Sequence, residues 1–409
     1  MADFIVGSVV RDEDFWFRDE FISVLWNSLE KHNVLLVAPR RIGKTSVMYR
    51  LLDFPEDDWL VVHLNVEELR TPDEFLIDLL DAVNEHQPDY FRKAFAGSWS
   101  FLKRVLSRIE SVEASEIKVA LRKSEDLSKS WRTRLDELME SVYRSGERTL
   151  FIIDELPDML NAMRAGSRDE CAGFLHWFRK TREQSLRKYV RWLVGGSVNL
   201  IATLDRNNTV NLINDLKVEN LEPFTEEEVK RFVSAMLERY EVAFDRTVIP
   251  RMLDLLGSPI PFFLQMLTEE LYRHWKRRKS SLSSEDVTNI FQKVLLGETA
   301  RDKLQHYRSR IDVHYPEEDK EPARRMLNHL SRSDNSVMRE NLFHIFRQCE
   351  SRRTSARSGA DLDNAFQHLL LYLQSDFYIE GTAEGRYDFS SRLLKTWWRK
   401  YCGFEYAYE

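Results

Sequence analysis

Hydrophobic positions along this chain change period several times, and the changes divide it into elements. Phe21, Leu25 and Leu29 fall on one face at helical spacing and predict an amphipathic helix. The continuous apolar run Val34 to Val37 follows and predicts a buried strand. Spacing from Ser46 to Leu52 is helical again, and Trp59 to Leu64 reads as a second buried strand. Thr71-Pro72-Asp73-Glu74 then opens a helix, with threonine as the cap and proline at the first position. Strand and helix alternate, which predicts a parallel sheet with helices on its faces.

Between residues 88 and 130 the pattern changes. Period-2 alternation in Ile109 to Ala114 and Ile117 to Leu121 predicts a short hairpin inserted into the α/β core. Helical spacing resumes at Trp131, Leu135, Leu138 and Val142. Leu150 to Ile153 predicts a third strand, Val190 to Val194 a fourth and Lys217 to Leu221 a short fifth. From Thr225 onward the pattern is helical only, with Thr225-Glu226-Glu227-Glu228 as a cap and acidic first turn, and this helical subdomain ends near Gly297. A further unit starts around Glu321. It has helical patterns at 322–332, 337–348 and 362–375, then Phe377 to Glu380, a turn from Gly381 to Gly385, Arg386 to Phe389, and a closing helix with Leu393, Leu394, Trp397 and Trp398. Helices followed by a two-stranded wing are the outline of a winged helix-turn-helix.

Composition narrows the classes. Of 409 residues, 43% are hydrophobic and 31% charged, an ordinary globular balance that excludes a disordered or fibrous chain and leaves room for two or three domains. No apolar run approaches the roughly 20 residues that span a bilayer, and Met1-Ala2-Asp3-Phe4 lacks a basic segment leading into an apolar core. The expectation is a cytoplasmic protein with no membrane partner. Cys171, Cys349 and Cys402 lie far apart and are expected as reduced thiols. A net charge of −7 argues against a surface that coats nucleic acid, though it permits a local basic patch.

The chemistry starts at Ala38-Pro39-Arg40-Arg41-Ile42-Gly43-Lys44-Thr45, between the first strand and the helix that includes Ser46. This is the pattern of a phosphate-binding loop: backbone N–H groups face phosphate oxygens, Lys44 supplies charge to the β and γ phosphates, and the Thr45 hydroxyl coordinates Mg²⁺. Ala38 stands where the pattern has its first glycine. Gly43, where the backbone approaches phosphate most closely, is in place. Asp154-Glu155 follows the third strand, and in that position Asp154 would hold Mg²⁺ while Glu155 would polarise a water for in-line attack on the γ-phosphate. No Asn-Lys-x-Asp segment for guanine and no Leu-Ser-Gly-Gly-Gln signature of transport ATPases occurs. Ser197, with Asn199 as runner-up, sits at the end of the fourth strand, where a polar side chain could sense the γ-phosphate; a turn residue there is an equal reading. Leu256-Gly257-Ser258-Pro259-Ile260-Pro261-Phe262 is either a plain helix start or a nucleotide contact.

Residues Ala38 to Ser46, Ile152 to Pro157, Gly196-Ser197, Leu221 to Glu228 and Gly257-Ser258-Pro259 together resemble the archaeal-type and bacterial P-loop ATPases related to the AAA+ and STAND lineages. The resemblance covers about residues 5 to 300, and Asp376 to Ile379 with Trp397-Trp398 resembles the winged-helix tail such ATPases carry. It implies an ASCE-type parallel sheet, an ATP switch with Mg²⁺, a helical lid, and an entry segment near Val9, Val10 and Phe15 to Arg18 lying over adenine. The fold class expected is therefore α/β. Its parts are a P-loop core over 1–222 with inserted elements near 88–148, a lid over 223–300 and a winged helix over 318–409. No arginine finger or second sensor stands out.

The tail leaves two function classes open. Arg352, Arg353 and Arg357 form a positive loop able to meet the phosphates of duplex DNA, as on an ATPase that changes conformation on DNA. The helix expected to enter the major groove, however, begins Asp361-Leu362-Asp363, and those aspartates repel phosphate. The other class is a nucleotide-gated module, as in STAND signalling or defence against invaders, which assembles with a protein partner or with copies of itself.

Overall fold

In the computed structural model, residues 7, 9–11, 15, 18–56, 58–89, 131–185, 190–196, 213–354 and 356–404 are described. They divide into two compact units. Val9–Ala38 and Lys44–Leu221 form one, and Met1–Ser8, Pro39–Gly43 and Glu222–Glu409 the other.

The first unit is built on five strands: β1 (Val34–Val37), β2 (Leu60–Asn65), β3 (Thr149–Asp154), β4 (Val190–Gly196) and β5 (Lys217–Asn220). Their order is β2-β3-β4-β1-β5 and every pairing is parallel. β1, β3 and β4 are buried at every position, which is why none of them shows the polar/apolar alternation of a half-exposed strand. β5 is the exposed edge and carries Lys217 and Glu219 as a charged pair.

Helices α1 (Asp19–Leu29), α2 (Lys44–Asp53), α3 (Pro72–His86), α4 (Trp131–Ser145), α5 (Leu156–Gly166) and α6 (Arg168–Ser185) cover the sheet. Thr71 and Glu74 close the reciprocal cap expected at the start of α3. Phe75, Trp131, Phe174 and Trp177 meet as an aromatic cluster, and Phe151 of β3 stacks on Trp192 of β4 at 4.7 Å. α5 and α6 were not expected from the pattern between the third and fourth strands. Their buried Met159, Leu160 and Met163, and Phe174, Leu175 and Phe178, do have helical spacing. The hairpin expected at 109–121 lies outside the described residues.

In the second unit, α7 (Glu226–Arg239), α8 (Val248–Leu256), α9 (Pro261–Arg278) and α10 (Ser284–Ile290) form the helical subdomain, and Thr225 caps α7 together with Glu228. The tail follows as α12 (Glu317–Arg332), β6 (Val337–Met338), α13 (Arg339–Ser351), α14 (Gly359–Ser375), β7 (Ile379–Gly381), β8 (Arg386–Phe389) and α15 (Arg392–Tyr401). Its three strands pair antiparallel in the order β6-β8-β7. Trp397 and Trp398 are fully buried core, with the Trp398 indole donating to Asn328 at 2.7 Å.

Between the two expected regions lies a helix with no sequence-based expectation, α11 (Glu298–His314). Few of its residues are apolar, but Leu304, Tyr307 and Ile311 are buried, and its buried Arg310 pairs with buried Asp376 at 3.0 Å. α12 also begins earlier than expected, before Pro322. Proline has no N–H for the carbonyl of Glu318 one turn back. Arg353 donates to that carbonyl instead, at 3.2 Å.

The helical subdomain and the tail are joined at Gly257, which ends α8 at φ 79°. A Cβ there would lie 2.7 Å from the backbone nitrogen of Arg392, and Ser391 donates to the Leu256 carbonyl at 2.9 Å. Strain and clash act together, so Gly257→Ala is expected to cost on the order of 2 kcal/mol and lower the melting temperature by about 4–8 °C. An unchanged melting curve would show that this junction yields freely. Cys171, Cys349 and Cys402 are buried thiols that form no disulfide, and among the described residues no helix is long and apolar enough to cross a membrane.

Candidate functional site

β1 ends at Val37 and α2 begins at Lys44, so residues 38–43 form the connecting loop. Gly43 is held at φ 101°, with open space where a Cβ would be; its glycine is required by backbone conformation rather than by crowding. Within the loop, Ala38 and Ile42 are buried. The first residues of α2 face the end of β3, although β4 lies between β1 and β3 in the sheet. Thr45 Oγ1 donates to Asp154 Oδ2 at 2.8 Å, and Lys44 Nζ is 2.7 Å from Asp154 Oδ1 and 2.9 Å from Glu155 Oε1.

Gly195 on the intervening strand makes this approach possible. A Cβ there would stand 2.9 Å from Asp154 Oδ1 and 2.1 Å from the end of the Met48 side chain. Sequence reasoning passed over this residue; the signal was a Gly-Gly pair closing a strand, where glycine often marks close approach of another group.

Burial would lower the pKa of Lys44, but the Asp154 and Glu155 carboxylates outweigh it and hold the ammonium above its ordinary value. Asp154 mirrors this: burial pushes its carboxyl up, while Lys44 and the Thr45 hydroxyl pull it below the usual range. His63 on β2 is buried and lowered to about 4, which leaves a neutral imidazole near the pair.

Glu155 takes left-handed backbone, φ 59°, at the start of α5. One of its oxygens, Oε2, is buried without a hydrogen-bond partner, and so is Arg40 Nε in the loop. Buried polar atoms left unpaired beside a phosphate loop are what a polar ligand would satisfy. Donors and acceptors here fit nucleotide phosphates and one divalent cation, with Thr45 and Asp154 as the side chains to hold the cation.

The other expected site residues fall variously. Ser46 Oγ accepts from Val10 N at 3.0 Å, and Arg11 pairs with Asp53 and lies over the Tyr49 ring, so this part of the entry segment runs along α2. Ser197 and Asn199 lie outside the described residues. The segment from Leu256 to Phe262 ends α8 and starts α9, with Pro261 in its first turn. It also brings the Phe262 ring under the Arg41 guanidinium at 3.9 Å, a contact the spacing did not reveal. Pro39 to Gly43 belong to the second unit, like Phe262.

In the tail, Arg353 and Arg357 are committed to Glu350. Arg357 makes two bonds of 2.9 Å and Arg353 one of 2.9 Å, and these hold the Glu350 carboxyl down at about 2. Arg352 follows the end of α13 and is exposed, and Asp361 and Asp363 are exposed on α14.

A five-stranded parallel sheet with a Gly-Lys-Thr loop after β1, a carboxylate pair after β3 and one strand between them defines a P-loop nucleoside triphosphatase fold of the ASCE type. No family model matches the chain, and no curated protein matches it. Among solved structures it is similar to the Aeropyrum pernix ORC2 protein in its ADPNP–ADP complexes, at 11% identity and TM-score 0.47, covering 96% of each chain. It is also similar to the Aeropyrum pernix ORC1 protein in complex with DNA, at 13% and 0.40 over 94% of this chain and 92% of that one. For the Thermotoga maritima RuvB Holliday junction branch migration motor the values are 12% and 0.42 over 94% and 95%. The fold class rests on strand order and loop position, not on these likenesses.

Proposed function

We propose that the chain is an ATP-binding, Mg²⁺-dependent ATPase that works as a conformational switch. The observation carrying this is the convergence of Lys44 and Thr45, at the start of α2, with Asp154 and Glu155, at the end of β3. In this reading the amides of the loop and of the α2 N-terminus, with Lys44, bind the phosphates; residues Ala38 to Ser46 make up that cradle. Thr45 and Asp154 hold Mg²⁺, which when bound neutralises developing charge on the phosphates. Glu155 accepts a proton from the attacking water, and Ser197 is retained as the γ-phosphate sensor. Residues 1–222 are the ATPase core, 223–300 the lid and 318–409 the output module. Phosphate release from ATP, measured with Mg²⁺ and again with the ion chelated, tests it: turnover that requires Mg²⁺ is expected, and its absence under both conditions overturns the hydrolytic part.

A second reading concerns the output. Because Glu350 engages Arg353 and Arg357, and Asp361 and Asp363 are exposed on α14, the tail favours a protein partner or a second copy over duplex DNA. Retention of a labelled duplex across about 50 to 200 mM salt separates the two, since several phosphate contacts would make binding fall steeply. Steep salt-dependent retention would restore the DNA reading.

A further inference from the structure

Arg41 stands in the loop at φ 64°, a backbone region that costs a residue with a side chain about 1 kcal/mol or more. Its guanidinium is held by two side chains of the second unit. The Phe262 ring of α9 lies 3.9 Å below it, and Arg41 Nε donates to His306 Nε2 of α11 at 3.1 Å. Gly7 packs at the same point: a Cβ on it would be 3.6 Å from Phe262 and 3.9 Å from Arg41.

The hydrogen bonds define the histidine. Nδ1 is 2.7 Å from the Lys303 carbonyl and donates to it, leaving Nε2 as the acceptor for Arg41. Burial first, then the Arg41 charge, pushes His306 down to about 3, so the imidazole is neutral. Phe262 and His306 therefore supply no negative charge, and among the described residues Arg41 has no carboxylate partner. A half-buried cation with no counter-ion among the described residues, beside a phosphate loop, is what an anionic ligand would satisfy.

His306 is also the near end of a continuous path. His306 packs on Tyr307 at 4.2 Å, the Tyr307 carbonyl accepts from the Tyr378 hydroxyl, and Arg310, one turn on, holds Asp376. Asp376 to Tyr378 form the turn between α14 and β7 of the tail.

We propose that Arg41 is the coupling residue of the switch: phosphate at the loop draws its guanidinium off Phe262 and His306, and α11 carries that loss to the turn at Asp376 to Tyr378. The direction follows from relative strength. A guanidinium bonds a phosphate through charge-assisted hydrogen bonds about twice as strong as neutral ones, whereas an imidazole and a ring face together offer less. The inference rests on the nucleotide reading of the loop.

Hydrogen exchange of the full chain, with and without ATP and MgCl₂, tests it in parallel with calorimetric ATP binding. In the wild type, ATP should change exchange across 298–314 and 376–381. His306→Ala and Phe262→Leu should bind ATP within about threefold of the wild type, as expected for residues that do not touch the ligand, yet lose that change. Phe262→Leu keeps apolar bulk and removes only the ring face, so it decides the matter alone if His306→Ala fails to fold. A wild type that binds ATP with identical exchange in both segments overturns the coupling, as does a full response in a folded Phe262→Leu protein. A wild type that binds no ATP overturns the nucleotide reading instead, and the coupling falls with it.

Discussion

Lys44→Ala is expected to weaken ATP binding by at least about 100-fold, because it removes a charge-assisted contact worth roughly 3 kcal/mol to the β and γ phosphates. The same substitution strands Asp154, a buried carboxylate whose low pKa depends on that ammonium. Breaking a buried pair by deleting one partner costs roughly 3–5 kcal/mol, so the variant should also melt earlier. Near-ultraviolet circular dichroism before titration separates lost binding from lost fold. A folded Lys44→Ala protein with unchanged ATP affinity would remove the loop from the phosphate site.

Glu155→Gln should leave ATP bound and lower turnover by about 10²- to 10⁴-fold, the range for removing a general base. The amide keeps the shape of the side chain and an oxygen for the Lys44 hydrogen bond at 2.9 Å, while Asp154 still partners the ammonium. It cannot take the proton of an attacking water. Single-turnover measurement with labelled ATP reads this directly: nucleotide should remain intact on the protein. Hydrolysis at the wild-type rate would assign the catalytic role to another residue.

Much of this site could be read from the chain because its parts are local. An apolar run followed by Gly43-Lys44-Thr45, and another followed by Asp154-Glu155, announce strand ends bearing chemistry, and a parallel sheet brings such ends to one edge. What stayed hidden depends on contacts distant in sequence. Nothing near Phe262 or His306 shows that both meet Arg41, and Gly195 gains its importance from Met48 and Asp154 on other elements. α11 escaped because its apolar positions are sparse and its buried face is completed by Tyr307 and Arg310. The ion pairs within the positive loop of the tail stayed hidden for a related reason. Glu350, inside the same run, neutralises Arg357 and Arg353, and the missing N–H of Pro322 gives Arg353 a second acceptor.

The most direct measurement of the central claim is a calorimetric titration of the wild-type chain with ATP, in the presence of Mg²⁺ and again with the ion chelated. The geometry of Lys44, Thr45 and Asp154 predicts one nucleotide per chain and weaker binding once Mg²⁺ is removed. No heat of binding, or an affinity indifferent to both Mg²⁺ and the triphosphate, would contradict it.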